Sequence, residues 1–332
     1  MLQRILTRFF AGVGLVTCAG LATYAGVYLR HLQLPTPTSV FMETPSSSAS
    51  STTATPTTTA SGTPYGTWSD DPADIVNPQS SVTIANGTVN GVTFITVQGG
   101  TAGSRRSDRR LCVGDFVKQY NAAAGLNGTF FANASLEGTD NGLIGPSLCG
   151  DEPAVTIGPY DQRTELAGRP LVLMSAGRIK IVDYNPATMD DEASLRALLP
   201  SVSDIFLGGV WLVHNGAAAD RARLATYHVH DANDFRRRAF FCVMADGRPA
   251  LGATTCSVSS RQLSAALSGY GIREAVLLDS GFSTSLVCGD HVLVTGHTAP
   301  GIPSRPVPHS ILLFGNVETA AGSATGGPAP AV

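Results

Sequence analysis

Short apolar runs separated by turn residues make up most of the chain between residues 81 and 316. The clearest example, RRRAFFCVMADGRPALGATT at 236–255, places β-rich runs on both sides of Asp246-Gly247, a dipeptide typical of tight hairpins. Comparable runs predict further strands within 81–98, 126–133, 169–184, 204–216, 275–289 and 309–315.

Three short segments predict helices, because each combines apolar spacing with capping or terminating residues. The first ends at Gly125, the second lies at 188–200 with Thr188 as its cap, and the third follows Ser257 or Ser259. Strands outnumber these helices, and no strand–helix–strand period recurs along the chain. The predicted fold class is therefore α+β, a single strand-rich domain with a few short helices.

The two ends of the chain differ in character from this central part. Phe9–Leu29 is a run of 21 uncharged residues that follows two arginines. It predicts a transmembrane signal anchor within residues 1–30, with the N-terminus inside and the folded domain extracytoplasmic. A cleaved signal peptide is the alternative. The Ser/Thr/Pro-rich residues 31–80 and the small-residue tail 317–332 predict disorder, which leaves 81–316 as the folded domain.

The composition narrows the classes of partner and cofactor. Charged residues make up 14% of the chain, against roughly 25% in typical soluble domains. The net charge is −3 and the longest basic run is Arg236–Arg238, so a nucleic-acid partner is not expected. No glycine-rich nucleotide fingerprint and no metal-ligand spacing of cysteines or histidines is present, so we expect no cofactor and no metal. Among six cysteines, Cys112 and Cys149 flank predicted loops and are the predicted disulfide.

Four places in the sequence set polar residues directly against apolar strands. They are Asn127 with Gly128, the Gly208-Gly209 pair, the arginines of 236–238, and Asp279 after the apolar run Ala275–Leu278. Taken alone, each fits a structural role: a turn, a bulge, a solvated arginine or an Asx turn. A serine hydrolase is not indicated, because no Gly-x-Ser-x-Gly surrounds the serines near Asp279.

The order of these four places resembles the phosphodiester glycosidase family. The family signatures look like Asn-Ala-Gly-Phe-Phe, Arg-Thr-Ala and Leu-Asp-Gly-Gly-Gly-Ser, and the matching stretches here are Asn127–Phe131, Arg237–Ala239 and Leu278–Ser283. The resemblance covers roughly residues 125–316. It implies hydrolysis of the glycosidic bond of a sugar-1-phosphodiester, with release of the sugar and a phosphomonoester.

The resemblance also assigns roles to residues of this chain. Asp279 would act as acid, base or electrostatic partner of the reacting carbon, and Arg237 would hold the phosphate oxygens. The residues expected to contact the substrate are Asn127, Gly208, Gly209, Arg238, Gly281, Ser283 and Thr284. A second carboxylate is not identified, although Asp231, Asp234 and Asp246 are candidates.

The chain departs from the family pattern at residues close to Asp279. Ser280 and Phe282 replace two of the three glycines, Thr129 replaces the glycine before Phe130, and Arg238 replaces a threonine. Three hypotheses therefore stand: an extracytoplasmic phosphodiester glycosidase acting on a glycan or cell-wall polymer, a catalytically weak or inactive relative that binds cell-surface sugar phosphates, and a purely structural domain near the wall.

Overall fold

The computed structural model of the chain describes residues 58–59, 66–76, 81–132, 141–150, 152–158, 164–229, 231–299 and 301–318. Within those ranges no helix combines the length and the apolar character needed to cross a bilayer. The predicted anchor at 1–30 lies outside them.

In the described part of the chain, strands form three sheets, which we call large, middle and small. The large sheet contains, in spatial order, Thr58–Thr59, Ser81–Val89, Val92–Gly99, Pro249–Thr254, Ala239–Met244, Ile272–Leu277, Trp211–His214 and Ala217–Ala218, and Asn316–Val317 also pairs with Ser81–Val89. The first hairpin turns at Asn90-Gly91, whose φ angles of 51° and 77° match the right-handed twist of the two strands.

The two remaining sheets are smaller and antiparallel. The middle sheet contains, in spatial order, His291–Thr295, Ser285–Cys288, Ala124–Asn127, Val307–Phe314 and Thr101–Leu111. The small sheet contains Ala73–Val76, Arg178–Asp183, Pro170–Ser175 and Asp204–Leu207. Both the hairpin at 169–184 and the strand predicted within 309–315 are present.

Helices are few and short, which confirms the predicted α+β, strand-rich class. Those described are Val113–Gln119, Glu192–Leu198, Arg221–Thr226 and Ser260–Ser268, with a 3₁₀ turn at Gly281–Ser283. The prediction that Thr188 caps the second helix is wrong, since Asp191 accepts a hydrogen bond from the Ser194 N–H at 2.7 Å. Of the two predicted caps for the last helix, Ser259 is the one used.

The main core lies on the large sheet and continues onto the middle sheet, with Phe94, Phe240 and Phe241 at its centre. A second cluster around Leu171, Leu173 and the helix Glu192–Leu198 covers the small sheet. Burial of these apolar surfaces is the main driving force for assembling the sheets.

The folded part begins earlier than the predicted boundary at residue 81. Ala73–Val76 pairs with Arg178–Asp183 at the edge of the small sheet, and Ala73 and Ile75 are buried there. Trp68 packs against the core with its ring centroid 6.2 Å from that of Trp211. The predicted linker therefore includes residues that have an apolar face to bury, which the Ser/Thr/Pro-rich composition upstream obscured.

The predicted disulfide between Cys112 and Cys149 is not formed, and both residues are free thiols. Cys112 is exposed at the start of the helix Val113–Gln119, whereas Cys149 is buried between Ser104 and Glu152. Burial raises the pKa of the Cys149 thiol far above its usual range, so this side chain stays protonated.

Candidate functional site

The predicted site residues lie where the chain crosses from one sheet to another. Asp279 follows Ile272–Leu277 of the large sheet, and the chain then enters the middle sheet at Ser285–Cys288. The Gly208-Gly209 pair similarly joins the small sheet to the large one. Side chains in such connecting segments do not have to pack against the face of either sheet. Polar side chains can therefore lie together there without disrupting the core.

The Asp279 carboxylate is 7% exposed, and each of its oxygens accepts hydrogen bonds. Oδ1 accepts the Ser280 N–H at 2.9 Å, and Oδ2 accepts the Ser283 hydroxyl at 2.5 Å. Oδ2 also accepts Nη2 of Arg305 at 3.0 Å, while Nε of the same guanidinium donates to Ser283 Oγ at 2.6 Å. Asp279, Ser283 and Arg305 thus form one closed hydrogen-bonded triangle.

Burial and hydrogen bonding act on Asp279 in opposite directions. Loss of solvation raises the pKa of its carboxyl group above the usual range, and the Arg305 guanidinium and the Ser283 hydroxyl offset only part of that rise. A carboxylate whose pKa moves towards neutrality is suited to accept or donate a proton during a reaction.

Asn127 holds the segment around Asp279 in place. Its amide nitrogen donates to the Asp279 carbonyl at 2.6 Å, and its amide oxygen accepts the Ser285 N–H at 3.0 Å. The side chain is fully buried, and its two hydrogen bonds give it a positioning role in the segment around Asp279. The Asp279 N–H donates to the Gly128 carbonyl at 3.3 Å, which joins the first and fourth predicted motifs directly.

The Gly208-Gly209 pair approaches protein groups where a ligand was expected. A Cβ atom on Gly209 would lie 2.6 Å from the Phe130 ring, and one on Gly208 would lie 3.1 Å from the Pro170 ring. Both glycines are buried, and the Gly209 N–H donates to the Leu277 carbonyl at 2.8 Å. They let the crossing pack against the strand that leads to Asp279.

The three arginines before Ala239–Met244 have different environments. Arg236 bridges two carboxylates, with Nη1 2.8 Å from Asp231 and Nη2 2.5 Å from Asp234. Nη1 of Arg237 donates to the Thr295 carbonyl at 2.8 Å, and no carboxylate among the described residues pairs with this guanidinium.

Arg238, which the resemblance places in contact with substrate, lies in the interior of the protein. This side chain is fully buried, and its guanidinium donates to the carbonyls of Val258, Asp231, Ala232 and Asp234. Burial lowers the pKa of Arg238 to about 10, so the group keeps its charge at neutral pH. The carbonyl dipoles of the loop offset the loss of solvation of this guanidinium.

Two further predicted contact residues are buried within the turn. The Thr284 hydroxyl donates to the Arg237 carbonyl at 3.1 Å, and Ser283 is occupied by Asp279 and Arg305. Gly281 has a φ of +67°, and its N–H donates to the Arg237 carbonyl at 2.9 Å. Of these three residues, only Gly281 borders an open cavity.

That cavity, which we call the aromatic cavity, has a volume of about 400 Å³. Its walls are Phe235, Arg236, Arg237, Ser257, Gly281, Phe282, Gly296, His297, Thr298 and Ala299. Asp279 is not in its wall, but Gly281 and Phe282 of the Asp279 turn are. The site predicted from sequence is therefore divided between a buried carboxylate network and an open cavity beside it.

A second cavity of about 270 Å³ borders the same region and contains Phe130, Arg169 and Asp231. Among the three candidates for a second carboxylate, Asp231 is the one that lines this cavity. Asp246 instead pairs with Arg248 in the hairpin turn at 2.7 Å. Within the described residues, no group of three or more potential metal ligands is assembled.

Sequence reasoning missed two residues of the site, Arg305 and His309. His309 Nδ1 accepts the Thr129 N–H at 3.1 Å, and its ring lies so close to Gly128 that a Cβ there would be 2.0 Å from Nδ1. Both residues come from the segment before and within Val307–Phe314, far from the recognised motifs in sequence. The one available signal was a histidine placed in an otherwise apolar strand.

Comparison with known proteins identifies a shared fold. No protein-family profile and no curated protein matches the sequence. The catalytic domain of zebrafish N-acetylglucosamine-1-phosphodiester alpha-N-acetylglucosaminidase, solved in a form auto-inhibited by its pro-peptide, matches with a TM-score of 0.52. The match covers 73% of this chain and 88% of that domain at 11% identity. A hypothetical protein from Synechocystis matches with a TM-score of 0.45 over 72% of this chain and 68% of that one, at 14% identity. The first of these likenesses confirms the predicted resemblance at the level of the fold.

Proposed function

We propose that this protein hydrolyses the glycosidic bond of a sugar-1-phosphodiester, releasing the sugar and a phosphomonoester. The observation that carries the proposal is the buried Asp279 carboxylate, held by Ser283 and Arg305 on a turn that also borders an open cavity. The fold shared with a phosphodiester glycosidase domain supports it. The substrate would be a glycan or cell-wall component, met on the extracytoplasmic side of a membrane to which the N-terminal segment anchors the protein.

In this reaction Asp279 acts as the general base. It removes a proton from water as the water oxygen bonds to the anomeric carbon, and the bond between that carbon and the phosphate oxygen breaks. The electron pair stays on the phosphate, which leaves as a monoester. Its raised pKa makes the ionised carboxylate a stronger base than an exposed aspartate.

Arg237 supplies the compensating charge for the leaving group. Phosphate gains negative charge as the bond breaks, so a guanidinium without a carboxylate partner stabilises the transition state more than the bound substrate. Arg237 lines the same cavity as Gly281, and its guanidinium pairs with no carboxylate among the described residues. Arg236 already pairs with Asp231 and Asp234, so it contributes little to stabilising the charge on the leaving phosphate.

The test is to incubate the full-length protein with the methyl phosphodiesters of glucose, galactose and N-acetylglucosamine 1-phosphate, in both anomers. Free reducing sugar and methyl phosphate, the latter followed by ³¹P NMR, should appear in equal amounts. Asp279→Asn should lower kcat by at least about 100-fold, the loss expected for removing a general base. Glu192→Gln, a change at a partly exposed helix position, is the matched control and should retain full activity.

Absence of both products across this set would contradict the proposal. If the Asp279→Asn variant still hydrolyses the diesters, the proposed activity would stand, but the role of Asp279 as general base would be contradicted. Binding of the diesters without turnover would replace catalysis with recognition of sugar phosphates.

A further inference from the structure

In the aromatic cavity, an arginine that pairs with no carboxylate among the described residues lies beside exposed aromatic side chains. Arg237 and Phe282 line it, and Phe282 belongs to the turn that follows Asp279. Its volume of about 400 Å³ lies within the range of small-molecule sites in proteins. The proposed reaction uses Arg237 for phosphate but assigns no role to the aromatic walls.

The Arg237 guanidinium has the orientation and the free hydrogen-bond donor that an anion-binding group needs. Its Nη1 is fixed by the Thr295 carbonyl at 2.8 Å, and its Nε is buried without a hydrogen-bond partner in the described part of the chain. A guanidinium held in one orientation by a neutral carbonyl keeps its full charge, and phosphate oxygens are its natural acceptors. Anion binding would therefore neutralise a charge that the described residues leave unpaired.

The aromatic walls provide a flat surface beside this cation. Phe282 is 64% exposed and stacks on His297, with ring centroids 4.6 Å apart and planes inclined by 19°. Phe235, on the loop before the arginines, is 69% exposed and also lines the cavity. Large apolar side chains exposed together at a cavity are typical of ligand contacts, since their exposure to water is unfavourable.

We propose that the aromatic cavity binds the group attached to the substrate's phosphate and that this group carries a flat aromatic ring, as in a nucleoside phosphate. This inference rests on the proposed function and specifies its substrate. The ring stacks on the face of Phe282 and the phosphate pairs with Arg237, while the sugar on the other side of the phosphate is directed towards Asp279.

The lining residues favour a flat ring over a second sugar. Recognition of sugar hydroxyls calls for carboxylate and amide side chains, and the described residues that line the cavity include no Asp, Glu, Asn or Gln. Stacking on aromatic rings needs few such groups, because every base presents a π face. Phe282 stands where the related family keeps a glycine, so the platform is a feature of this chain.

The experiment measures equilibrium binding, which needs no turnover. UMP and AMP are titrated into the full-length protein by calorimetry and compared with ribose 5-phosphate, which keeps the phosphate and lacks the base. We expect the nucleotides to bind at least about tenfold more tightly than ribose 5-phosphate, the gain typical of one stacked base. Arg237→Gln should weaken the binding of all three ligands.

Phe282 variants test the stacking contact itself. Phe282→Ala should remove the tenfold preference for nucleotides and leave ribose 5-phosphate binding unchanged. Phe282→Leu keeps an apolar side chain without the flat ring and should also lose the preference, which separates stacking from general packing. Ile84→Ala, at another exposed apolar position on the large sheet, is the control and should bind like the wild type.

The outcomes separate this inference from the proposed function. Equal affinity for nucleotides and ribose 5-phosphate, or a preference that survives both Phe282 variants, would overturn the inference even if the methyl diesters are hydrolysed. Nucleotide binding that depends on Phe282, together with no hydrolysis of any sugar diester, would uphold the cavity's ligand class and overturn the proposed reaction.

Discussion

Nη2 of Arg305 lies 3.0 Å from Oδ2 of Asp279, and the two residues come from segments on either side of the strands Ser285–Cys288 and His291–Thr295. This ion pair favours the ionised form of the candidate base. Burial raises the pKa of Asp279, and the positive charge of Arg305 lowers it again in part.

The first prediction concerns the pH dependence of hydrolysis. Asp279 must be ionised to act as a base, so activity should fall as the pH drops through its raised pKa. Arg305→Gln removes the nearby positive charge, and the acidic limb of kcat/KM should move to higher pH. Arg248→Gln, which removes an arginine from a hairpin turn, should leave the limb in place. An unchanged limb in the Arg305 variant would exclude Arg305 from positioning the base.

The second prediction concerns stability in acid. Burial lowers the pKa of His309 from 6.5 to about 3, because the charged imidazole would lose its solvation inside the core. Unfolding therefore takes up a proton between these two values, and stability that is present above pH 6.5 is lost as the pH falls. The slope from this residue is about 1.4 kcal/mol per pH unit.

Chemical denaturation at several pH values measures that slope. His309→Gln should be less stable than the wild type at pH 7 but should lose less stability between pH 6 and pH 4. Ile84→Ala, at an exposed apolar position, should keep the wild-type slope. Parallel stability curves for the wild type and the His309 variant would contradict the assignment of a neutral, buried imidazole.

The third prediction separates two adjacent arginines. Arg238→Met leaves the carbonyls of Asp231, Ala232 and Val258 without their charged donor in a buried position. The free energy of unfolding should fall by about 3 kcal/mol or more. Arg237→Met removes a bond to one carbonyl and should change stability by less than about 1 kcal/mol while reducing activity. Equal losses of stability would contradict the structural role given to Arg238.

The fourth prediction concerns the segment 66–76, which contacts the large sheet near His214 and pairs with the small sheet through Ala73–Val76. Glu274 is 1% exposed and accepts hydrogen bonds from Nε1 of Trp211 at 3.2 Å and the Asn215 N–H at 3.0 Å, with Nδ1 of His214 at 2.7 Å. His214 Nε2 in turn lies 2.9 Å from the Asp71 carbonyl. The carboxylate thus supports the contact that holds this segment.

Glu274→Ala should destabilise the domain by about 3 kcal/mol or more, because it leaves buried donors without an acceptor. Hydrogen exchange should accelerate first at residues 66–71, ahead of the strands of the core. Glu192→Ala, at a partly exposed helix position, serves as the control and should leave exchange in 66–71 unchanged. Uniform acceleration across the domain would show that Glu274 supports the core as a whole.

Local patterns in the sequence were sufficient for many of the strands and for the class of the fold. The Asp246-Gly247 hairpin and the strands on either side of Asn90-Gly91 form as their turn residues indicate, because such turns are decided by neighbouring residues. Thr101–Leu111 is a strand that the pattern did not indicate. Its arginine-rich sequence TAGSRRSDRRL lies at the edge of the middle sheet, where charged side chains remain near solvent and no alternation is required.

The candidate site, too, could be predicted from the sequence only in part. The order of motifs along the chain was sufficient to single out Asp279 and to group it with Asn127 and Gly209, and the hydrogen bonds of the fold bring these segments together. The resemblance gave both Arg237 and Arg238 a contact with substrate, and the local pattern did not show which of the two is buried, since both adjoin the same strand. Which of them is buried depends on the loop 231–234 that folds over one and not the other.

By itself, the sequence determined the strand-rich class, the main turns and the acid at the end of a buried strand, because these depend on residues close to one another along the chain. Only the tertiary structure decided that Arg305 pairs with Asp279, that Arg238 binds carbonyls, and that Phe282 stacks on His297. Each of these contacts joins segments that meet only when the sheets pack together, and the burial that sets their energies exists only in the folded molecule.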